Sequence, residues 1–122
     1  MEIQSVQQFL EYWSGLRRRT RRVVECIPPE RLEWTCRAGA SYFDRLHVEA
    51  KALIGALSDA DLERKCQTPA GTAITTWKWL RAMCEHEAHH RGQIYLMLNL
   101  LEVPTPPLYG LTSEEVRERS VP

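Results

Sequence analysis

His86-Glu87-Ala88-His89-His90-Arg91-Gly92-Gln93 is the stretch on which the reading of this chain turns. It lies inside a segment, about Thr75 to Leu101, whose apolar residues recur at Trp79, Met83, Ile94, Met97 and Leu101. His86 and His90 fall into the same series. Steps of three and four residues mark one face of a helix. The spacing therefore predicts a long helix with both histidines on its core-facing side. Side chains four apart on a helix have β-carbons ~5–6 Å apart, so both imidazoles can reach one point. Neutral imidazole is the commonest metal ligand, and the pair reads as a divalent-metal site. A hydrogen-bonded pair of core histidines is the plainer alternative. His89 falls off the stripe and is expected beside the pair, at its rim.

The surrounding chain reads as helices. Val6, Phe9, Leu10, Trp13, Leu16, Thr20, Val23, Val24 and Ile27 form an apolar stripe, so a first helix is expected from Ser5 to about Ile27. The run Arg17-Arg18-Arg19-Thr20-Arg21-Arg22 occupies its other faces and reads as a solvated surface. Pro28-Pro29 ends it. Glu30 to Ala40 is expected as a connection carrying Trp34, with a break at Gly39-Ala40-Ser41. A second helix then runs to about Leu57 on the stripe Phe43, Leu46, Ala50, Leu53, Ile54 and Leu57. His47 flanks that stripe. It either faces the His86/His90 pair as a third metal ligand or sits at the rim bonded to a carboxylate.

Ser58-Asp59-Ala60-Asp61 reads as a cap and a short helical turn. Thr68-Pro69-Ala70-Gly71-Thr72 reads as a loop. Thr75 or Thr76 caps the long histidine helix. Pro104-Thr105-Pro106-Pro107 excludes helix, Leu108 and Tyr109 are expected to pack back, and Thr112-Ser113-Glu114-Glu115 opens a terminal helix to about Arg119. No alternation of strand length is visible. Three long helices with short pieces make an all-α bundle.

With 122 residues, 43% hydrophobic and 26% charged, the chain is expected to form a single domain over 1–122. A formal net charge of zero argues against coating nucleic acid or anionic lipid. No apolar run approaches the ~20 residues of a membrane helix, and no export signal is visible, so a cytoplasmic location is expected. Cys26, Cys36, Cys66 and Cys84 form no C-x-x-C pair, and disulfides are not expected. Cys84, two residues before His86, reads as a small core filler.

His86-Glu87-Ala88-His89-His90 also satisfies H-E-x-x-H, which in zinc peptidases makes the Glu a general base. A third histidine at the metzincin distance and a substrate-binding strand are both missing. A broader resemblance rests on Glu85 through Ile94, on Thr68-Pro69-Ala70-Gly71-Thr72 with Thr75 and Trp77, on Ile27 through Trp34, and on Pro107 through Thr112. Together these resemble the DinB/YfiT-like family of metalloenzymes. The resemblance implies an up-and-down four-helix bundle holding nickel or zinc. It also implies activities such as thiol transfer with bacillithiol or mycothiol. The family's H-x-x-x-H ligands fall on His86 and His90. Its third ligand is a histidine on the usual second helix; the resemblance implies that this chain omits that helix, leaving three long helices and a short C-terminal one.

That departure has two consequences. An apolar groove along the remaining helices needs a cover, and a homodimer, side by side or helix-swapped, is expected. Two imidazoles alone bind metal weakly, so His47 or a partner chain would supply the third ligand. The leading expectation is a metal-dependent thiol S-transferase or hydrolase acting on a small molecule, with a low-molecular-weight thiol as possible cofactor. The alternatives are a non-catalytic dimerising module with a vestigial metal site and, behind it, a zinc peptidase using Glu87.

Overall fold

A computed structural model describes residues 2–31, 36–108, 110–111 and 113–120. Three long helices, α1 (Val6–Val24), α2 (Cys36–Gly55) and α4 (Thr76–Leu100), carry the fold. Between α2 and α4 lie a short helix, α3 (Asp59–Leu62), and a hairpin of β1 (Lys65–Gln67) and β2 (Ala73–Thr75). A terminal helix, α5 (Ser113–Ser120), follows. This is the all-α architecture expected from the apolar spacing.

α1 begins where two of its orphan N–H groups find acceptors. Ser5 Oγ accepts from the Gln8 N–H at 3.2 Å, and Asp59 Oδ1 accepts from the Val6 N–H at 2.8 Å. The second bond ties α1 to the start of α3. Val6, Phe9, Trp13, Leu16, Thr20 and Val23 are the buried stripe. The helix proper stops at Val24, and a 3-10 turn at Pro29–Arg31 begins at the second proline of the pair.

α2 begins at Cys36, so the expected break at Gly39-Ala40-Ser41 is absent. One glycine costs a helix interior only ~1 kcal/mol, and twenty residues of continuous helix outweigh it. Arg21 meets Asp44, Trp13 meets His47 and Leu10 lies beside Gly55, so α2 runs antiparallel to α1. Arg17 meets Glu87 and Thr20 meets Arg91, so α4 runs in the direction of α1. Both helices pack on α1, and among the described residues they make no comparable contact with each other. The result is up-down-up, with α1 as the floor of an open groove.

The core lies along α1 and the elements packed on it. It is built from Ile3, Val6, Phe9, Trp13, Leu16, Leu62 and Cys84, with Leu10, Ala50, Ile54, Leu57, Trp77, Leu80 and Ala88 packed around it. Each large apolar side chain fully buried there contributes about 1.5–3 kcal/mol. Cys84 is a core filler as expected, and Cys26, Cys66 and Cys84 are free thiols.

The hairpin corrects the expectation of no strands. Lys65 pairs with Thr75, Cys66 with Ile74 and Gln67 with Ala73. Three-residue strands are too short to show alternation in a sequence. The expected loop closes them: the Thr68 N–H reaches Thr72 O at 2.9 Å, and Gly71 takes φ +80°. Thr76 then donates from both its N–H and its hydroxyl to Arg64 O at 2.9 and 3.0 Å, which anchors the start of α4. The Thr75 side chain makes no capping bond. Beyond α4, Glu102 at φ +56° ends the helix in a left-handed cap, and the Val103 N–H bonds Leu98 O at 2.9 Å. Expectations placed on Trp34, Tyr109 and Thr112 fall outside the described residues. Among the described residues no helix is long and apolar enough to cross a membrane.

Candidate metal centre and groove

α4 carries two stripes, and the structure separates them. Cys84, Arg91 and Leu98 are buried, with Leu80 and Ala88 packed beside them; this side meets the core. The neighbouring stripe of Met83, His86, His90, Met97 and Leu101 is exposed. The histidines are therefore not on the core-facing side as the spacing predicted. They are rotated about one residue away from it, onto the wall of the groove. Apolar residues on both stripes produce the same periodicity, so spacing alone does not choose between them.

The groove is a cavity of about 530 Å³, within the range of small-molecule sites. Its floor is Phe9, Trp13, Arg17, Thr20 and Val24 of α1. α2 contributes Phe43, Ala50 and Ile54, and α4 contributes residues from Leu80 to Ile94, among them His86, Glu87, His90 and Arg91.

At its edge the two imidazoles converge. His86 Nε2 and His90 Nε2 are 3.1 Å apart, and the rings meet nearly perpendicular, with centroids 4.4 Å apart. His90 Nδ1 lies 2.7 Å from Gln93 Oε1. A carboxamide oxygen only accepts, so His90 carries its proton on Nδ1 and presents the Nε2 lone pair. Gln93 is thus a positioning residue for His90. The His89 ring lies edge-on to His90 at 5.3 Å, beside the pair as expected.

His47 is not brought to this pair. Its ring packs edge-on against Trp13, centroids 4.5 Å apart, and it lines a separate recess with Ser14, Arg18, Asp44 and Lys51. Its Nδ1 is buried without a hydrogen-bond partner among the described residues, so the carboxylate-bonded alternative is not seen either. Burial, then the charges of Arg17 and Lys51, push its pKa below the ordinary histidine value. Among the described residues no group of three His, Cys, Asp or Glu side chains is placed to hold a metal ion.

Two arginines lie further in than a solvated face would place them, Arg17 half-buried and Arg91 buried. Arg17 Nε is 3.0 Å from Glu87 Oε2, and its guanidinium stands 4.3 Å from the Phe43 ring centroid and 5.1 Å from that of Trp13. Stacking on two aromatic faces suits a guanidinium. Arg91 is only 4% exposed, and its Nη1 reaches Leu16 O at 3.4 Å and Thr20 Oγ1 at 3.5 Å. A signal for both was present. Trp13, Arg17, Thr20 and Val24 are one helical stripe, and Arg91 stands seven residues from Cys84 and seven from Leu98. Arginine is rarely buried, so residue type argues against what the spacing allows.

Glu87, the general base of the peptidase alternative, has its carboxylate against Arg17 and is largely shielded from solvent. Cys84 lines the groove, but burial, reinforced by the Glu87 charge, pushes its thiol up to about 11. Both effects favour the protonated thiol over the nucleophilic thiolate.

Residues 37–94 match the family model of the DinB superfamily. That span runs from the start of α2 through the hairpin to Ile94, and so contains both histidines. No curated protein and no solved structure matches the chain.

Proposed function

This chain is a DinB-like protein, and from that premise we propose that it is a metal-dependent enzyme acting on a small molecule in the groove, by thiol S-transfer or hydrolysis. The observation that carries the proposal is the 3.1 Å separation of His86 Nε2 and His90 Nε2. Two ligands of one ion, each at ~2.0–2.1 Å, stand about 3 Å apart. The residues present therefore fit nickel or zinc as a two-imidazole clamp. Gln93 supports it by fixing the His90 tautomer, as outer partners of metal-binding histidines commonly do. A bound divalent ion would supply Lewis acidity, lowering the pKa of a thiol cofactor or a water held on it. The chain's own contribution is an apolar groove that orients the substrate beside the clamp.

The donor set is two side chains, and catalytic zinc sites generally use three. A substrate thiolate or a partner chain would complete it. The peptidase reading is set aside, because the Glu87 carboxylate is committed to Arg17.

Metal analysis of protein purified without a histidine tag tests the proposal. Near-stoichiometric nickel or zinc is expected, and His86→Ala with His90→Ala should abolish it while leaving the helical circular dichroism intact. A folded wild-type protein that takes up neither ion at micromolar concentration would overturn the reading.

A specific observation favours a second reading, a dimerising helical module. Met83, Leu96, Met97, Leu100 and Leu101 on and just after α4, with Leu46 and Leu53 on α2, are all exposed large apolar side chains. In this reading a second copy covers them, with or without metal.

A further inference from the structure

Among the described residues, the charges that line the groove do not balance. Arg17 and Arg91 are permanent cations, and Glu87 is the only carboxylate among the residues described as lining the cavity. Glu87 lies against Arg17. Arg91 forms no ion pair among the described residues. It is 96% buried, and its Nε has no hydrogen-bond partner there. Its two bonds, from Nη1 to Leu16 O and Thr20 Oγ1, are long at 3.4 and 3.5 Å and involve neutral acceptors. Guanidinium carries five N–H donors, so donor capacity remains. A buried cation without a counter-charge is costly, and native interiors normally supply one.

We propose that the groove binds a small organic monocarboxylate, its carboxylate paired with Arg91 and its apolar body lying among Phe9, Trp13, Phe43 and Leu80. Among the described residues, the lining of the metal-free groove carries a surplus of one positive charge, which matches a monoanion. In that metal-free state a phosphate dianion would leave an uncompensated negative charge in an apolar cavity. The planar fork of arginine suits a carboxylate, and the aromatic and aliphatic lining suits a hydrocarbon body. The inference names a substrate class for the groove invoked above, and it does not depend on metal at His86 and His90.

The test is a titration of chelator-treated, metal-free protein with octanoate, octanol and inorganic phosphate. Binding is followed by calorimetry and by the nitrogen-15 resonance of the Arg91 Nε–H. Octanoate should bind and shift that resonance, octanol should bind at least about tenfold more weakly, and phosphate should not compete. Arg91→Gln should lower octanoate affinity about tenfold or more, and Arg91→Lys should lower it less. Glu87→Gln removes the one negative charge among the described lining residues and should tighten octanoate binding, which keeps the proposal testable should Arg91→Gln fail to fold. Equal binding of octanoate and octanol, displacement by phosphate, or no change in Glu87→Gln would each overturn it. Because the titration is metal-free, its failure is separate from a failure of the metal reading.

Discussion

Asp61 shows what a single side chain contributes to this fold. Ser58 Oγ and the Ser58 N–H both donate to Asp61 Oδ2, at 2.7 and 2.9 Å, and Arg64 reaches Oδ1 at 3.0 Å. The side-chain bond from Ser58, then its backbone bond, then Arg64, hold the Asp61 pKa down at about 2, against an ordinary 3.8. A folded pKa below the unfolded one means stability that is present above about pH 4 and lost as pH falls towards 2. Ser58→Ala removes the capping box and should flatten the acid limb in that window. Urea midpoints of both proteins between pH 5 and pH 2 check this; parallel curves would count against it. Arg17 and Glu87 show the opposite case. Residue type marks neither as interior, yet removing either would leave the other half-buried and unpaired.

At the scale of elements, the hairpin and α4 decide how the groove is built. The hairpin links α3 to α4, and its turn depends on Gly71 at φ +80°. A β-carbon there would meet nothing within 4 Å, so the cost of Gly71→Ala is backbone strain alone. It should destabilise by about 1–2 kcal/mol without changing the far-ultraviolet spectrum, measured by thermal or urea unfolding. An unchanged midpoint would mean the turn relaxes to another conformation. In α4 the core stripe and the groove stripe lie side by side. One helix can therefore line the core with Cys84 and Leu98 and the groove wall with His86 and His90. Helix spacing revealed the element and its length, but not which stripe α1 would take.

For the whole molecule, the consequence of three long helices is an uncovered face. Leu53 and Leu100 are three-quarters exposed, and Leu96 and Met97 are more than half exposed. A monomer with so much apolar surface on its two groove-forming helices favours association. Sedimentation velocity from micromolar to hundreds of micromolar should show a monomer–dimer equilibrium. Met83→Glu with Met97→Glu should weaken it at least about tenfold by adding charge to a buried interface. A wild-type protein that stays monomeric across that range would exclude the dimer. A dimer that persists in the His86→Ala, His90→Ala protein, without metal in the wild type, would favour the module reading over the enzyme.

Local physics wrote much of this protein into its residue order. The proline pair ends α1, Ser5 and Ser58 cap helices, the Thr68–Thr72 loop turns on a glycine, and the i, i+4 histidines meet because a helix brings them together. Each of these depends on neighbours within about one turn, so each was legible without coordinates. Tertiary packing decided the rest. It placed Arg91 against Leu16 and Thr20, some seventy residues away, set Arg17 against Glu87, and turned His47 onto Trp13 instead of the histidine pair. Which side of a helix becomes interior depends on what other helices lay against it, and two stripes of similar hydrophobicity leave that choice to α1.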